Sequence, residues 1–219
     1  LKMYFRVRNF WLLVSFIFSI IAVILFSSFK SLNSFSPTPY KFDLPQDVPP
    51  NYIPPDNVMT VEGVALGRKL FYDPLLSADH TISCSSCHLQ QNGFADHEKL
   101  SKGVGAEHAE RNTMPIFNMA WIGKYFWDGR SGSLEELVLF PLTNKKEMGK
   151  DLDVLKRELN RSDDYRKMFY AAFGENQINE ILVSKAIAQY VRTITSFRSP
   201  ADTIYPTAAR LMAEKKIDQ

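Results

Sequence analysis

Cysteine is scarce in this sequence, because only two occur among 219 residues. Two cysteines exclude a disulfide framework of the kind that staples small secreted domains, and they exclude a zinc site built from four cysteines. Strong charge of one sign is lacking too, since 26 basic residues face 24 acidic ones and no basic tract occurs. This balance argues against a nucleic-acid partner.

The two cysteines belong to one motif, Cys-Ser-Ser-Cys-His, at residues 84–88. This spacing is typical of covalent c-type haem attachment. Two thiols can add to the vinyl groups of one porphyrin, and the adjacent histidine then ligates the iron. A disulfide would leave His88 without a role, a redox dithiol is expected in a βαβ setting, and zinc needs a second ligand pair. The motif predicts one covalent haem c held by Cys84, Cys87 and His88.

The N-terminal region combines basic residues with a long uncharged run. Lys2, Arg6 and Arg8 precede the uncharged residues 9–29, which as a helix would extend about 30 Å and cross a hydrocarbon core. We predict a cytoplasmic N-terminus at 1–9 and a transmembrane anchor at 10–29, oriented N-in. A cleaved signal peptide is the alternative, although no clean A-x-A site follows. The expected location is the bacterial inner membrane, single-pass, with the haem domain in the periplasm.

Residues 30–57 contain seven of the twelve prolines of the chain. Such a segment cannot form a helix and prefers an extended polyproline II conformation. We therefore predict a Pro-rich linker that acts as a semi-rigid spacer. Its aromatic residues, among them Phe42 and Tyr52, leave open an ordered strap that docks on a partner.

The region 58–219 predicts a single helical domain, so the fold class is all-α. Thr60 can cap a first helix, with Gly63 and Gly67 allowing close backbone approach, and Ser133 can cap a helix that Pro141 ends. Ser162 begins another helix that Gly174 terminates, and the longest amphipathic segment spans 180–197. Between residues 90 and 127 no periodicity is convincing, which predicts a long ordered loop around the haem.

Several runs, in order along the chain, resemble the first half of bacterial dihaem cytochrome c peroxidases. The resemblance covers about residues 60 to 199 and implies a cytochrome c-like fold carrying the peroxidatic haem, with a second haem domain that receives electrons. The matching runs are 66–77, 81–88, 111–112, 126–130, 133–136 and 147–149.

The resemblance also implies roles for individual residues. Glu147 matches the distal acid–base carboxylate, and Trp127 matches the tryptophan that passes electrons between the two haems. Asn112 matches a ligand of the calcium ion between the domains, although it cannot bind that ion alone. Without the matching neighbours, Glu147 would be interpreted as a solvated glutamate among lysines, and Trp127 as a packed core aromatic.

Three features depart from the family pattern. Leu137 stands where the family has the glutamine partner of the distal carboxylate, Val104 stands in place of the distal histidine, and no second C-x-x-C-H follows. Without the distal histidine we expect an open sixth position on the iron. His97 and His108 could substitute but are expected to be surface loop residues. Met114 and Met119 could also ligate, which would favour electron transfer over catalysis.

Two main functions follow from these observations. The first is a membrane-anchored peroxidatic half that reduces hydrogen peroxide with electrons from a partner haem protein. The alternative is a monohaem electron-transfer subunit docked on a respiratory or photosynthetic complex. A third possibility is that the haem serves only to stabilise the fold. The retained Glu147 favours the enzyme, whereas the anchor, Leu137 and the missing second haem favour the carrier.

Overall fold

The computed structural model describes residues 16–21, 35–46, 48–202 and 204. The chain divides into two compact units, Leu1–Ser36 and Pro37–Gln219. Of the predicted anchor at 10–29, the structure describes a helical stretch at 16–21, and the rest lies outside the described residues. Across the ranges that are described, no helix has the length and apolar character needed to cross a membrane.

The second unit is helical, which confirms the predicted all-α class. The described residues form isolated β-bridges but no strand. Short 3-10 turns lie at Pro74–Leu76, Gln90–Asn92, Val104–Ala106 and Met119–Trp121. The α-helices are α1 (Val61–Tyr72), α2 (Cys84–Cys87), α3 (Leu134–Thr143), α4 (Leu152–Arg161), α5 (Asp163–Phe173) and α6 (Glu180–Thr193).

Polar side chains fix where the helices begin. Thr60, Ser133 and Ser162 each accept a hydrogen bond from an amide in the first turn of α1, α3 and α5, as the sequence predicts. Each such cap is typically worth about 1 kcal/mol. Gly174 ends α5 with φ of 72°, a left-handed conformation that glycine adopts without a steric penalty.

Helices α1 and α6 cross at very close range. A Cβ added at Gly67 would lie 1.9 Å from the carbonyl oxygen of Ala186, and one at Gly63 would overlap the side chain of Gln189. The predicted close approach at these two glycines is therefore confirmed. It brings Tyr190 of α6 onto the face of α1 that carries Phe71, which is fully buried in the core.

Two predicted helix ends are wrong. Helix α3 continues through Pro141 to Thr143. Proline removes one hydrogen bond and crowds the preceding turn, but little helix follows it here, and the Asn144 amide donates to the Phe140 carbonyl at 3.0 Å. Helix α6 ends at Thr193 rather than at Phe197.

The described part of the Pro-rich segment from Pro37 onward lies on the helical domain and does not extend away from it as a bare spacer. The Tyr40 amide donates to the Met59 carbonyl at 3.0 Å, and the Trp121 indole donates to the Pro49 carbonyl at 2.8 Å. Phe42 packs edge-on against Trp121, with ring centroids 6.3 Å apart. The segment lies on the domain because its aromatic side chains and main-chain carbonyls make contacts within the same unit.

Candidate haem site

A cavity of about 430 Å³ lies within the helical domain. The haem-attachment motif lines it on one side, and the loop that precedes α3 lines another. This agrees with the prediction of a long ordered loop around the haem. An apolar part of the wall comes from α1, α3 and α6: Phe71, Leu134, Leu137, Val138, Leu142, Ile187 and Val191.

The motif folds as the single helical turn α2. The Ser83 amide donates to the Ser86 hydroxyl at 3.0 Å, which anchors the start of the turn. Cys84 and Cys87 are free thiols, and both line the cavity. Burial raises the pKa of Cys84 to about 12, and burial also raises the pKa of Cys87. Both groups are therefore thiols, with neither paired in a disulfide.

His88 follows directly and is held by the main chain. Its Nδ1 lies 2.9 Å from the Phe94 carbonyl oxygen, which can only accept, so Nδ1 carries the proton. Burial lowers the pKa of His88, opposed by the carbonyls of Phe94 and Met114. The ring is therefore neutral at neutral pH. A neutral imidazole that donates from Nδ1 keeps Nε2 as the nitrogen for a metal.

These residues fit a covalent haem. Two thiols and a neutral imidazole, oriented by a carbonyl, lie at one side of a cavity whose other walls are largely apolar. An apolar cavity of this size in a small domain needs an occupant, since packed interiors contain few voids larger than a water molecule. Cys84 and Cys87 would hold the porphyrin, and His88 would ligate its iron.

Glu147 lies on the wall formed after α3, in the same cavity as the motif. The Asn144 amide donates to its Oε1 at 3.0 Å. Burial raises the pKa of Glu147 above its usual range, opposed by the Asn144 hydrogen bond and by Arg130. Sequence context suggested a solvated glutamate, whereas the structure encloses this carboxyl beside a largely apolar cavity.

The main chain of Glu147 is fixed by the loop that carries Val104. The Val104 amide donates to the Glu147 carbonyl at 2.8 Å. A Cβ at Gly103 would lie 2.1 Å from the Lys146 carbonyl oxygen, so only glycine permits this approach. Val104 therefore contacts the main chain of Glu147, whereas Leu137 lines the cavity itself.

The alternative iron ligands divide into two groups. His97 is exposed between Asp96 and Glu98, and His108 is exposed with Nδ1 3.3 Å from the Leu100 carbonyl. Both are surface loop residues, as expected.

Met114 and Met119 line the cavity. Met119 is fully buried in the core, and the carbonyl of Met114 acts on the His88 ring, which places its backbone on the side of that histidine.

Trp127 is not a core aromatic, because 62% of its surface is exposed. It borders the cavity, and its indole N–H donates to the Asn112 carbonyl at 2.9 Å.

The side-chain amide of Asn112 points to the Lys99 carbonyl at 3.4 Å. No group of three or more His, Cys, Asp or Glu residues suited to a metal occurs in the described ranges. The calcium role of Asn112 stays a prediction.

Three neighbours of the site received no role from the sequence. Asn144 orients Glu147, and Arg130 stacks 3.6 Å above the Phe126 ring while pairing with Asp128. Lys150 is buried and donates to the Ser77 carbonyl at 3.2 Å and to Glu158 at 2.7 Å. Lys150 therefore links the loop that carries Glu147 to the segment before the haem-attachment motif. The only sequence signal for Lys150 was its closeness to Glu147.

Together the helical fold and this site define a c-type haem domain. A family model described as "Di-haem cytochrome c peroxidase" matches residues 61–209. The chain belongs to the di-haem cytochrome c peroxidase family.

Individual relatives agree with this assignment. The chain is 34% identical to the methylamine utilization protein MauG of Methylophilus methylotrophus, over 74% of this chain and 48% of that protein. It is also 34% identical to the cytochrome c peroxidase Ccp of Escherichia coli, over 70% of this chain and 32% of that protein. The chain thus spans at most about half the length of these relatives.

A solved structure matches as well. It is a MauG-like protein associated with microbial copper homeostasis, with a TM-score of 0.72 and 34% identity. The match covers 77% of this chain and 51% of that one. Membership of the family implies covalently bound haem c in this chain.

The position of the histidines predicts the resting spectrum. Since neither His97 nor His108 lines the cavity, we expect a five-coordinate or water-ligated ferric haem that binds cyanide without prior reduction. Absorption and EPR spectra test this, with His108→Ala as a control that leaves them unchanged. A low-spin resting spectrum that collapses on Met114→Ala or Met119→Ala would show that a methionine caps the iron.

Proposed function

We propose that this chain reduces hydrogen peroxide at the haem cavity, with electrons supplied by a partner haem protein. The observation that supports it best is Glu147, a partly buried carboxyl with a raised pKa, in the same cavity as Cys84, Cys87 and His88. A carboxyl of this kind can accept a proton and return it.

The residues of the chain would divide the work as follows. Haem held by Cys84, Cys87 and His88 would supply the redox-active iron. Glu147 would take a proton from one peroxide oxygen and return it to the other, so that water can leave. Asn144 orients the Glu147 carboxyl by donating to Oε1. Leu137 and its apolar neighbours keep bulk water from this proton transfer, which strengthens every local electrostatic interaction.

Electrons must come from outside the haem. Reduction of peroxide to two waters takes two electrons, and a ferrous haem that ends as ferric haem supplies one. The chain contains a single C-x-x-C-H motif. Trp127, exposed at the border of the cavity, offers a surface where a partner haem protein could deliver the second electron.

Peroxide consumption by the haem-loaded chain, driven by an artificial one-electron donor, tests this proposal. We expect turnover that saturates with peroxide and is inhibited by cyanide. Consumption no faster than that of a haem peptide containing only residues 84–88 would contradict it.

A carrier function is the second candidate. Leu137 lines the cavity where a hydrogen-bonding glutamine would assist catalysis, and Met114 and Met119 lie within it. A methionine ligand raises the reduction potential and favours electron transfer. A haem that fails to react with peroxide but exchanges electrons rapidly with a cytochrome would favour this function.

We also propose that residues 10–29 anchor the chain in the bacterial inner membrane, with the haem domain in the periplasm. The support is the uncharged run of sequence and its basic flank, with the charge asymmetry that orients such helices. We expect the mature chain to sediment with membranes and to resist an alkaline wash. A soluble mature chain that begins after residue 30 would identify the segment as a cleaved signal peptide.

A further inference from the structure

An aromatic cluster lies next to His88 and takes no part in the proton chemistry assigned to Glu147. Phe71 lines the cavity, and its ring centroid is 6.4 Å from that of the His88 imidazole. Phe71 also contacts Tyr72 and Tyr190, with ring centroids 5.2 Å away in both cases. Ring contacts therefore lead without interruption from the predicted iron ligand to two phenols.

The two phenols form a pair that leads to the surface. The Tyr190 hydroxyl donates to the Tyr72 hydroxyl at 3.4 Å. Tyr190 is 8% exposed, whereas Tyr72 is 39% exposed. A proton that leaves Tyr190 therefore has an acceptor at hydrogen-bond distance, and that acceptor reaches solvent.

The state of the phenols suits coupled loss of an electron and a proton. Burial and the neighbouring Tyr72 hydroxyl raise the pKa of Tyr190, so the phenol is protonated at neutral pH. The Arg68 guanidinium lies 5.5 Å from the centre of the Tyr72 ring. Its positive charge disfavours a tyrosine radical cation that keeps its proton. Oxidation of the pair must therefore release a proton and leave a neutral phenoxyl radical.

We propose that Tyr190 is an internal electron donor to the haem site, with Phe71 as the bridge and Tyr72 as the proton outlet. This inference rests on the proposed peroxide reduction, in which a single haem is one electron short. For each peroxide reduced, the ferrous haem would supply one electron and end as ferric haem. The Tyr190 O–H bond breaks, its electron passes through Phe71, and its proton leaves by way of Tyr72.

This step balances without an unnamed reductant. One ferrous haem, one Tyr190 phenol, one hydrogen peroxide and one proton from solvent give one ferric haem, one phenoxyl radical and two waters. Phe71 is too hard to oxidise to hold the missing electron itself, but its ring shortens the distance across which the electron tunnels. A partner protein can then return electrons singly, and the two need not arrive together.

Other aromatic residues are placed less well for this role. Trp127 borders the cavity, but its N–H is bound to the Asn112 carbonyl, which cannot take up a proton. Tyr165 is buried on α5, where its hydroxyl donates to Asp73 and its ring lies 6.4 Å from Phe169. Tyr165 is therefore a matched control, a buried tyrosine hydrogen-bonded within the same domain.

The test uses the haem-loaded chain, reduced without oxygen to the ferrous state and freed of excess reductant. It is mixed with hydrogen peroxide and frozen within milliseconds for EPR, with ring-deuterated tyrosine to identify the radical. We expect one tyrosyl radical for each ferric haem, and one peroxide consumed per chain. Tyr190→Phe should lose the radical and halve the peroxide consumed, because two chains must then share one peroxide. Tyr165→Phe should behave as the wild type.

The outcomes separate this inference from the proposed function. If ferrous haem is not oxidised by peroxide, both fail. If the haem is oxidised but no tyrosyl radical forms, or the radical persists in Tyr190→Phe, the internal donor alone is refuted. A radical that disappears in Trp127→Phe and survives in Tyr190→Phe would assign the electron to the tryptophan and refute it as well.

Discussion

Replacement of Glu147 by glutamine should slow the reaction with hydrogen peroxide by at least about a hundredfold, since positioned acid–base groups contribute about 10²- to 10⁴-fold. Glutamine keeps the shape of the side chain and can still meet Asn144, but it cannot accept a proton. The haem content and the reduction potential should change little, because Glu147 is not among the residues Cys84, Cys87 and His88 that would hold the haem.

Stopped-flow absorption with an artificial electron donor measures this effect. Glu98→Gln is the matched control, since Glu98 is exposed and does not line the cavity. Its loss should leave the rate nearly unchanged. If the wild type and Glu147→Gln react equally slowly, the carrier function replaces the peroxidase.

Loss of both thiols should have the largest structural effect. In a chain that carries Cys84→Ala and Cys87→Ala, haem is no longer retained covalently, and the cavity is left without its occupant. A cavity of about 430 Å³ is far larger than the voids that packed interiors contain. We therefore expect the haem-free chain to be largely unfolded.

Circular dichroism and extraction into acidic acetone test this expectation together. Ser85→Ala lies within the same turn but removes no thiol, and it should retain covalent haem and helical content. If the double variant keeps a cooperative thermal transition like that of the wild type, the haem does not support the core.

The parts of the structure that sequence could predict are local. The caps at Thr60, Ser133 and Ser162 are set by side chains that bond to amides within the next turn. The thiols and His88 are adjacent in the chain, so their juxtaposition needs no knowledge of tertiary structure. Gly67 was predictable because only one residue type allows two backbones to come so close.

The parts that could not be predicted depend on contacts between distant segments. The Pro-rich segment docks because Pro49 meets Trp121, a contact that no local pattern contains. The burial of Lys150 depends on Ser77 and Glu158. In the sequence Lys150 looks the same as its exposed neighbours Lys145 and Lys146.

Glu147 shows this limit at the site itself. Its role came from a resemblance, since the surrounding lysines suggested a solvated side chain. Burial at the cavity raises its pKa instead, although the hydrogen bond from the Asn144 amide opposes this, and both features come from the way the chain turns after α3. Helix α3 continues past Pro141 into this same turn, which is why the predicted end of α3 was wrong.

The pH dependence of the peroxide reaction tests the central claim most directly. Burial holds the pKa of Glu147 above the ordinary glutamate value of 4.5, and only the ionised carboxylate accepts a proton. The wild-type rate should therefore fall on acidification, beginning above the pH at which an ordinary glutamate titrates, whereas Glu147→Gln should be slow and independent of pH over that range. The same pH profile and the same rate in both proteins would contradict the account.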